Sequence, residues 1–451
     1  MHLSLSRMPV IVMFVCLFTA GLPLAALAER PLNQPPKGFQ ALFNGENLEG
    51  WHGMPHFDPR ELWAMDENER QEQLAEWTRV ARNHWTVEDG VLINDGHGPY
   101  MTTAKEYGDF ELLLEYRTKA GADSGIYLRG NPQVQIWDWT QEAGWGNGSH
   151  LGSGGLWNNS PGAPGKDPLL RADRPFGEWN AVRIVMVGSR VTVWLNGQMV
   201  VDHAVMENFW DRSQPLWKDG PIQLQTHGGE IRWRNLFIRE IDHAEANTIL
   251  RNGGPARNVP DPKFKPIFNG QDFSGWTGPV DNDNNTVEDG AILSGHGTIH
   301  TEKEYGNFIA RLEYKLEPGD NNGLAIRYPG EGDTAYVGMT ELQVLDDDAE
   351  SYAELDPRQY NGSVYGQIAA HRGFLRPTGE WNYSEITVNG SRITVELNGY
   401  VIVDGDLEAV EDYMGGDADR YAGRTRTQGY FGLAGHGNPV AYRKLAIKEL
   451  P

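Results

Sequence analysis

The sequence predicts an all-β protein made of two tandem antiparallel β-sandwich domains, with a short helical insertion in the first. Three observations lead there. The first is an internal duplication. Thr86-Val87-Glu88-Asp89-Gly90 returns as Thr286-Val287-Glu288-Asp289-Gly290. The same signposts accompany both copies in the same order: Phe43-Asn44-Gly45 and Phe268-Asn269-Gly270, Lys105-Glu106-Tyr107-Gly108 and Lys303-Glu304-Tyr305-Gly306, Gly177-Glu178-Trp179-Asn180 and Gly379-Glu380-Trp381-Asn382. An ordered series of this kind marks a repeated structural unit. The second observation is alternation with period two. Phe110, Leu112, Leu114 and Tyr116 fall on one face of a strand, and Glu111, Glu115 and Arg117 fall with Leu113 on the other. The third is turn chemistry. The 451 residues include 54 glycines, and Asn196-Gly197 and Asn398-Gly399 are the strongest short hairpin signals a sequence carries.

In chain order, residues 1–28 read as a secretory signal peptide. Arg7 gives a positive start, residues 10–20 are apolar but too few to span a bilayer, and Ala26-Leu27-Ala28 places small residues before a cleavage site after Ala28. The expected location is secreted or periplasmic, with no transmembrane anchor in the mature chain. The single cysteine, Cys16, lies inside the signal. The mature protein therefore has no disulfide, thiolate nucleophile or cysteine metal site. The first domain is expected over 38–242, a linker over 243–262, where Gly253-Gly254-Pro255 and Pro260-Asp261-Pro262 stand, and the second domain over 263–451. Within the first domain, Asp58-Pro59-Arg60-Glu61 has a capping residue, a proline at the first helical position and a glutamate after it. Asp66 is a second start, followed by Leu74, Trp77 and Val80 at helical spacing. Repeat two lacks this insertion, whose simplest role is to cover a sheet edge.

The formal charge is −23 and no block of basic residues exists, so a nucleic-acid partner is not expected. Phosphate loops, dinucleotide fingerprints and the Gly-x-Ser-x-Gly elbow are all missing. Asp281-Asn282-Asp283-Asn284-Asn285 and Asp346-Asp347-Asp348 have the composition of a Ca²⁺ site, but neither has the spacing of an EF-hand loop. No cofactor is expected.

Several segments of both copies resemble the 3-keto-disaccharide hydrolase domain family. In repeat one they are Asp123-Ser124-Gly125-Ile126-Tyr127-Leu128-Arg129-Gly130, Gln133-Val134-Gln135-Ile136-Trp137-Asp138 and Leu224-Gln225-Thr226-His227-Gly228. In repeat two they are Asn321-Asn322-Gly323-Leu324-Ala325-Ile326-Arg327, Glu341-Leu342-Gln343-Val344-Leu345-Asp346 and Gly379-Glu380-Trp381-Asn382. The resemblance implies a concanavalin A-like (lectin/glucanase) jelly roll, export, and action on a carbohydrate already oxidised at C3. The copies depart from the family pattern differently. Repeat two keeps Glu341, Gln343 and Asp346, where repeat one has Gln133, Gln135 and Asp138. Repeat one keeps Gln225 and His227, where repeat two has Ala434 and His436.

A ketone at C3 acidifies the hydrogen at C2. Removing it gives an enolate that expels the group at C1, and hydration then yields the free sugar. This route asks for a base near C2 and a donor or cation on the C3 oxygen. The catalytic candidates are Glu341, Arg327, His436 and Asp346 in repeat two, and Arg129, Asp138 and His227 in repeat one. Substrate-binding candidates are Gln343, Gln133, Gln135, Gln225, Glu115 and Glu313. Trp137, Trp145 and Trp157 join them from the glycine-rich loop 137–165, because exposed aromatic rings stack on pyranose faces. Each has a structural alternative. Arg129 and Arg327 are equally suited to pairing with a strand-end carboxylate, Asp138 and Asp346 to capping loops, and Trp179 and Trp381 to core packing. Two other functions compete: a lectin-like protein that only binds, and a conventional endo-glucanase, which would need a Glu-x-Asp-x-x-Glu strand that neither copy contains.

Overall fold

The structure is a computed structural model that describes residues 31–451; the expected signal peptide lies outside the described residues. In repeat one the alternating segments form two stacked antiparallel layers. One runs Gln198–Val205, Arg190–Leu195, Asn180–Val187, Phe110–Thr118, Ile231–Glu240, Val91–Asn94 and Trp85–Glu88 across the sheet, with Gln40–Ala41 added to Ile231–Glu240. The other runs Trp51–Met54, Tyr100–Tyr107, Gly220–Leu224, Asp123–Leu128 and Asn131–Trp137. Phe110, Leu112, Leu114 and Tyr116 share one core with Ile126, Leu128, Val134, Ile136 and Leu224. Interdigitated inner faces of this kind make a sandwich. Repeat two repeats the plan around Phe308, Leu312, Tyr314, Leu324, Ile326, Leu342 and Val344. Two of its strands, Ala291–Tyr305 and Gly429–Glu449, are long and bent, so its strands join into one hydrogen-bonded set of eleven.

The hairpins take the conformation their sequences announce. Asn196 and Gly197 have φ of 51° and 80°, and Asn398 and Gly399 of 51° and 87°, the positive pair of a type I′ turn. The doubled Glu-Asp-Gly is a turn of the same kind, at Asp89-Gly90 and Asp289-Gly290.

The insertion forms two helices, Pro59–Ala64 and Glu67–Ala81, capped by the carboxylates of Asp58 and Asp66. The second helix lies on the edge strand Trp51–Met54, where Gly53 donates to the Thr78 hydroxyl at 3.1 Å. A Cβ at Gly53 would stand 2.4 Å from the Trp77 carbonyl oxygen, so the approach requires glycine.

Within the expected linker, His243–Asn252 is a helix, capped by Asp242 and ended by Gly253 at φ 76°. Its Ala246 and Leu250 pack with Val185, Val187 and Ile241 of repeat one and Tyr383 of repeat two. Asn247 donates to the Trp381 carbonyl at 3.0 Å and accepts from Arg376 at 2.6 Å. The segment therefore joins the repeats as packed structure. Arg190 pairs with Glu396 across the same junction, and Ser189 donates to the Gly399 carbonyl through both its amide and its hydroxyl.

Three expectations change here. The guanidinium groups of Arg129 and Arg327 donate to the protein's own oxygens and line neither cleft described below. Each residue is buried at positive φ beside a tight turn. Arg129 donates to the carbonyls of Gly108 and Trp217, to Asp109 and to the Tyr400 hydroxyl of the other repeat. Arg327 donates to the carbonyls of Gly306, Gly390 and Arg426 and to Asn307. Glu115 and Glu313 lie in the larger layer, behind the core, where Arg234 pairs with Glu115, and Arg251, Arg443 and Lys444 converge on Glu313. Trp179 and Trp381 are half-buried outside the core. Arg117 and Arg234 cover the first ring, and Arg443 covers the second at 3.8 Å. The arginine and tryptophan results share one cause: a planar guanidinium finds carbonyls and ring faces wherever a sheet turns.

Replacing Arg129 by Met should destabilise the protein by roughly 3–5 kcal/mol, because Asp109 and two carbonyls lose their donor in a buried setting. The urea midpoint measures this; an unchanged midpoint would contradict the assignment.

Candidate functional site

Period-two alternation decides what the smaller layer presents outward. Ile126, Val134, Ile136 and Leu224 point into the core, so their neighbours point the other way. Gly125 is paired with Gln135, and Asp123 with Trp137. Gln223 is paired with Tyr127 and with Thr102. The outer face of the layer is therefore a polar row. The loop after Trp137 and the segment around Phe209 fold over it, leaving a cleft of about 540 Å³ lined by His56, Tyr100, Asp123, Tyr127, Gln133, Gln135, Trp137, Trp157, Gln225 and His227, among others.

The polar row is wired together. His227 Nδ1 lies 2.8 Å from Asp123 Oδ2. The other Asp123 oxygen accepts from Gln135 Nε2 at 2.9 Å. Gln135 in turn accepts from the Gln133 amide. The hydrogen bond to Asp123 raises the pKa of the His227 imidazole, and it leaves Nε2 as the free ring nitrogen. His56, from the loop that leads into the insertion, meets the Tyr127 hydroxyl at 2.9 Å. Burial, with the charge of His227 nearby, lowers the His56 pKa. Burial raises that of Tyr127. Gln133 Oε1 and Gln225 Oε1 are buried acceptors with no protein partner, an arrangement that native structures rarely leave unmatched.

Of the tryptophans, Trp137 and Trp157 wall the cleft, edge to face at 5.9 Å between ring centres. Trp145 is 45 % exposed, is not among the lining residues, and donates to the Trp139 carbonyl from its own loop. Asp138 stands at the rim and caps the loops, accepting from the Gly121 and Thr140 amides at 2.8 and 2.7 Å. Burial opposes these bonds, but together they hold its carboxyl below the usual range. Asp346 makes the same bond to Gly319 at 2.8 Å.

Repeat two places a second cleft, of about 180 Å³, at the matching position. Glu341 and Gln343 share its floor. Ala325 is paired with Glu341 and Gly323 with Gln343. A Cβ at Gly323 would stand 2.2 Å from the Glu341 carboxylate, so glycine makes room for that side chain. Glu341 Oε1 lies 3.1 Å from His436 Nε2, Oε2 accepts from the Thr334 hydroxyl, and Gln343 donates to Asn321 at 2.7 Å. Thr334 belongs to a short helix, Thr334–Val337, in the connection 329–339. Repeat one spans that connection with Arg129 and Gly130 alone. The longer connection brings Asp333, Ala335 and Tyr336 over the cleft, while Tyr352 and Tyr365 close its other side. The hydrogen bond to Glu341 raises the His436 pKa.

Set against each other, the copies have moved the carboxylate. Repeat one has Asp123 with Gln133; repeat two has Asn321 with Glu341. Each keeps one carboxylate–histidine pair, built from opposite strands of the same hairpin. Tyr127 and Gln225 have Ala325 and Ala434 at the matching places. Asp123, Tyr127 and His56 were not among the sequence candidates. Asp123 and Tyr127 stand inside the motif that begins at Asp123, and period two from Gly125 could have found them. His56 has no such signal, because it reaches the cleft from a segment without a counterpart. Among the described residues, no group of three or more His, Cys, Asp or Glu side chains is gathered as a metal site. No helix among them is long and apolar enough to cross a membrane.

Comparison with known proteins gives the following. The family model described as 3-keto-alpha-glucoside-1,2-lyase-like domain matches residues 38–239 and 263–448. A curated relative, the 3-keto-disaccharide hydrolase of Bacteroides thetaiotaomicron, is 22% identical over 277 residues, which is 50% of this chain and 86% of the relative. A candidate glycosyl hydrolase from Parabacteroides distasonis, known as a crystal structure, is 26% identical with a TM-score of 0.37, covering 42% of this chain and 94% of that one. The carbohydrate binding module CBM66 from Bacillus subtilis is 13% identical with a TM-score of 0.26, covering 39% of this chain and 96% of that one.

Titrating the histidine ring protons by NMR should place His227 and His436 above the ordinary imidazole range. Asp123→Asn should lower the first value alone, and Glu341→Gln the second alone. Coupled movement of both would contradict two separate pairs.

Proposed function

The chain belongs to the 3-keto-alpha-glucoside-1,2-lyase-like domain family, and from that premise we propose that the cleft of repeat one breaks the glycosidic bond of a 3-keto-glycoside, with a 3-keto-disaccharide as substrate. The observation that carries the reading is the Asp123–His227 pair at 2.8 Å over a cleft of about 540 Å³. That volume lies in the range of sites that enclose a small ligand. The cleft of repeat two, about 180 Å³, leaves no comparable room for two rings.

The steps follow from the side chains. Asp123 holds Nδ1–H of His227, so Nε2 carries the lone pair that takes the proton from C2. The electrons of that C–H bond delocalise onto the C3 oxygen as an enolate. Tyr127 O–H and the Gln225 amide N–H beside it are the donors offered to this charge. Collapse of the enolate forms the C1=C2 bond and breaks the bond from C1 to the leaving oxygen, which takes a proton from water; the hydroxide so formed takes back the proton on His227 Nε2, and the base is restored. The buried oxygens of Gln133 and Gln225 accept from ring hydroxyls, and Trp137 and Trp157 offer apolar ring faces. Export through residues 1–28 belongs to the same proposal and rests on the apolar run and the Ala26-Leu27-Ala28 cleavage pattern; the sequence of the mature N-terminus should begin at Glu29.

Purified protein offered a disaccharide and its 3-keto form should consume only the 3-keto form. Cleavage of neither would leave a carbohydrate-binding protein, and cleavage of the unoxidised sugar a conventional glucanase. His227→Gln should lower kcat/KM by about 10²–10⁴-fold, the usual yield of a positioned base. The base must be neutral to act, so activity should rise with pH through the elevated pKa of His227. Asp123→Asn removes the cause of that elevation, and the acidic limb of the profile should move to lower pH.

A further inference from the structure

The two clefts differ in ways that two copies of one site would not. Repeat one has a cleft of about 540 Å³, and beside its carboxylate–histidine pair it has Tyr127 and Gln225 to hold an enolate oxygen. Repeat two has lost Tyr127 and Gln225 to Ala325 and Ala434. The connection 329–339 has narrowed its cleft to about 180 Å³. Yet its acid–base pair is intact, and it is the more deeply set of the two. Glu341 is 3 % exposed, fixed by the Thr334 hydroxyl on one oxygen and by His436 at 3.1 Å on the other. A buried carboxylate kept in a small polar cleft is costly unless it has a task.

The chemistry of the first cleft leaves such a task. Elimination yields a single ring bearing C1=C2 conjugated with the C3 ketone. A free sugar forms only when water adds. The water oxygen bonds to C1, the C1=C2 electrons move onto the C3 oxygen, and the resulting enolate takes a proton at C2. That addition needs a base for the water, an acid for C2, and room for one ring.

We propose that the cleft of repeat two is a second catalytic site, which hydrates the α,β-unsaturated ketone released by repeat one. Glu341 takes the proton of the attacking water. His436, protonated beside that carboxylate, gives its proton to C2. The 3.1 Å contact between them then returns the proton from Glu341 to His436, and the pair is reset with no net change. Gln343 and Tyr365, both lining the cleft, hold the ring hydroxyls. Asn321 in place of an aspartate keeps a second carboxylate away from the developing enolate. The chain thus performs a hydrolysis as two half-reactions, one in each copy of the duplicated fold. This inference rests on elimination in repeat one.

The test separates the two sites. Full-length protein and its Glu341→Gln, His436→Gln and His227→Gln variants are given a 3-keto-disaccharide. The ultraviolet absorbance of the conjugated enone and the free 3-keto sugar are followed together. Wild type should release free sugar with little enone. Glu341→Gln and His436→Gln should accumulate enone at least tenfold above wild type. The unsaturated ketone is then supplied directly, and His227→Gln should hydrate it while leaving the disaccharide intact. His436 is at the rim, so its variant keeps the test open should Glu341→Gln fail to fold, which circular dichroism reports. The proposal is overturned if both repeat-two variants, correctly folded, hydrate the enone at the wild-type rate, or if His227→Gln abolishes hydration and so places both steps in repeat one. If wild type cleaves no 3-keto-glycoside, elimination fails as a reading, and direct supply of the enone still decides whether repeat two hydrates it.

Discussion

The rest of the structure depends on one constraint: every strand of the smaller layer has its apolar side committed to the core between the sheets. Ile126, Leu128, Val134, Ile136 and Leu224 are all nearly inaccessible. Because a strand alternates, Asp123, Gly125, Tyr127, Gln133 and Gln135 have no choice but to face the other way. Loops fold over that face, so its polar side chains are buried as well. Buried polar groups must be paired, and the resulting chain from His227 through Asp123 and Gln135 to Gln133 is one continuous hydrogen-bonded string. The acceptors left over at Gln133 and Gln225 open toward the cleft. The functional surface is in this sense the reverse side of the packing that stabilises the domain.

Duplication then allowed the string to be rebuilt. The two strands of the hairpin bring positions 123 and 133 in repeat one, and 321 and 341 in repeat two, onto one face. A carboxylate at either position reaches the same histidine. The cost of moving it is small in the sheet, but the consequences differ. From position 123 the carboxylate meets Nδ1 at a half-exposed rim; from 341 it meets Nε2 from a buried floor. Covering the second site took a longer connection, and that connection supplies Thr334. The helix His243–Asn252, the Arg190–Glu396 pair and the Arg129–Tyr400 bond join the copies, while their sites diverge.

The arginines carry a separate lesson. Arg129 and Arg327 stand inside the most recognisable motif, next to residues that line the clefts. They nevertheless serve the turns, because a buried guanidinium is stable only where enough oxygens surround it, and a tight hairpin end supplies backbone carbonyls in quantity. Glu115 and Glu313 failed as ligand residues for a simpler reason. They alternate onto the outer face of the larger layer, which the core separates from the clefts.

The sequence by itself determined the duplication, the sandwich, the type I′ turns, the two helix starts at Asp58 and Asp66, and the polar face carrying Gln133, Gln135, Glu341 and Gln343. All of these follow from local spacing and from turn chemistry, which act within a few residues. Only the tertiary structure decided that His227 belongs to Asp123 and His436 to Glu341, that His56 enters the first cleft, that Trp145 stays outside it, and that the segment around Thr334 narrows the second. Those outcomes depend on contacts between residues far apart in the chain, on where loops cross a sheet, and on which donors burial leaves without water. No periodicity records them.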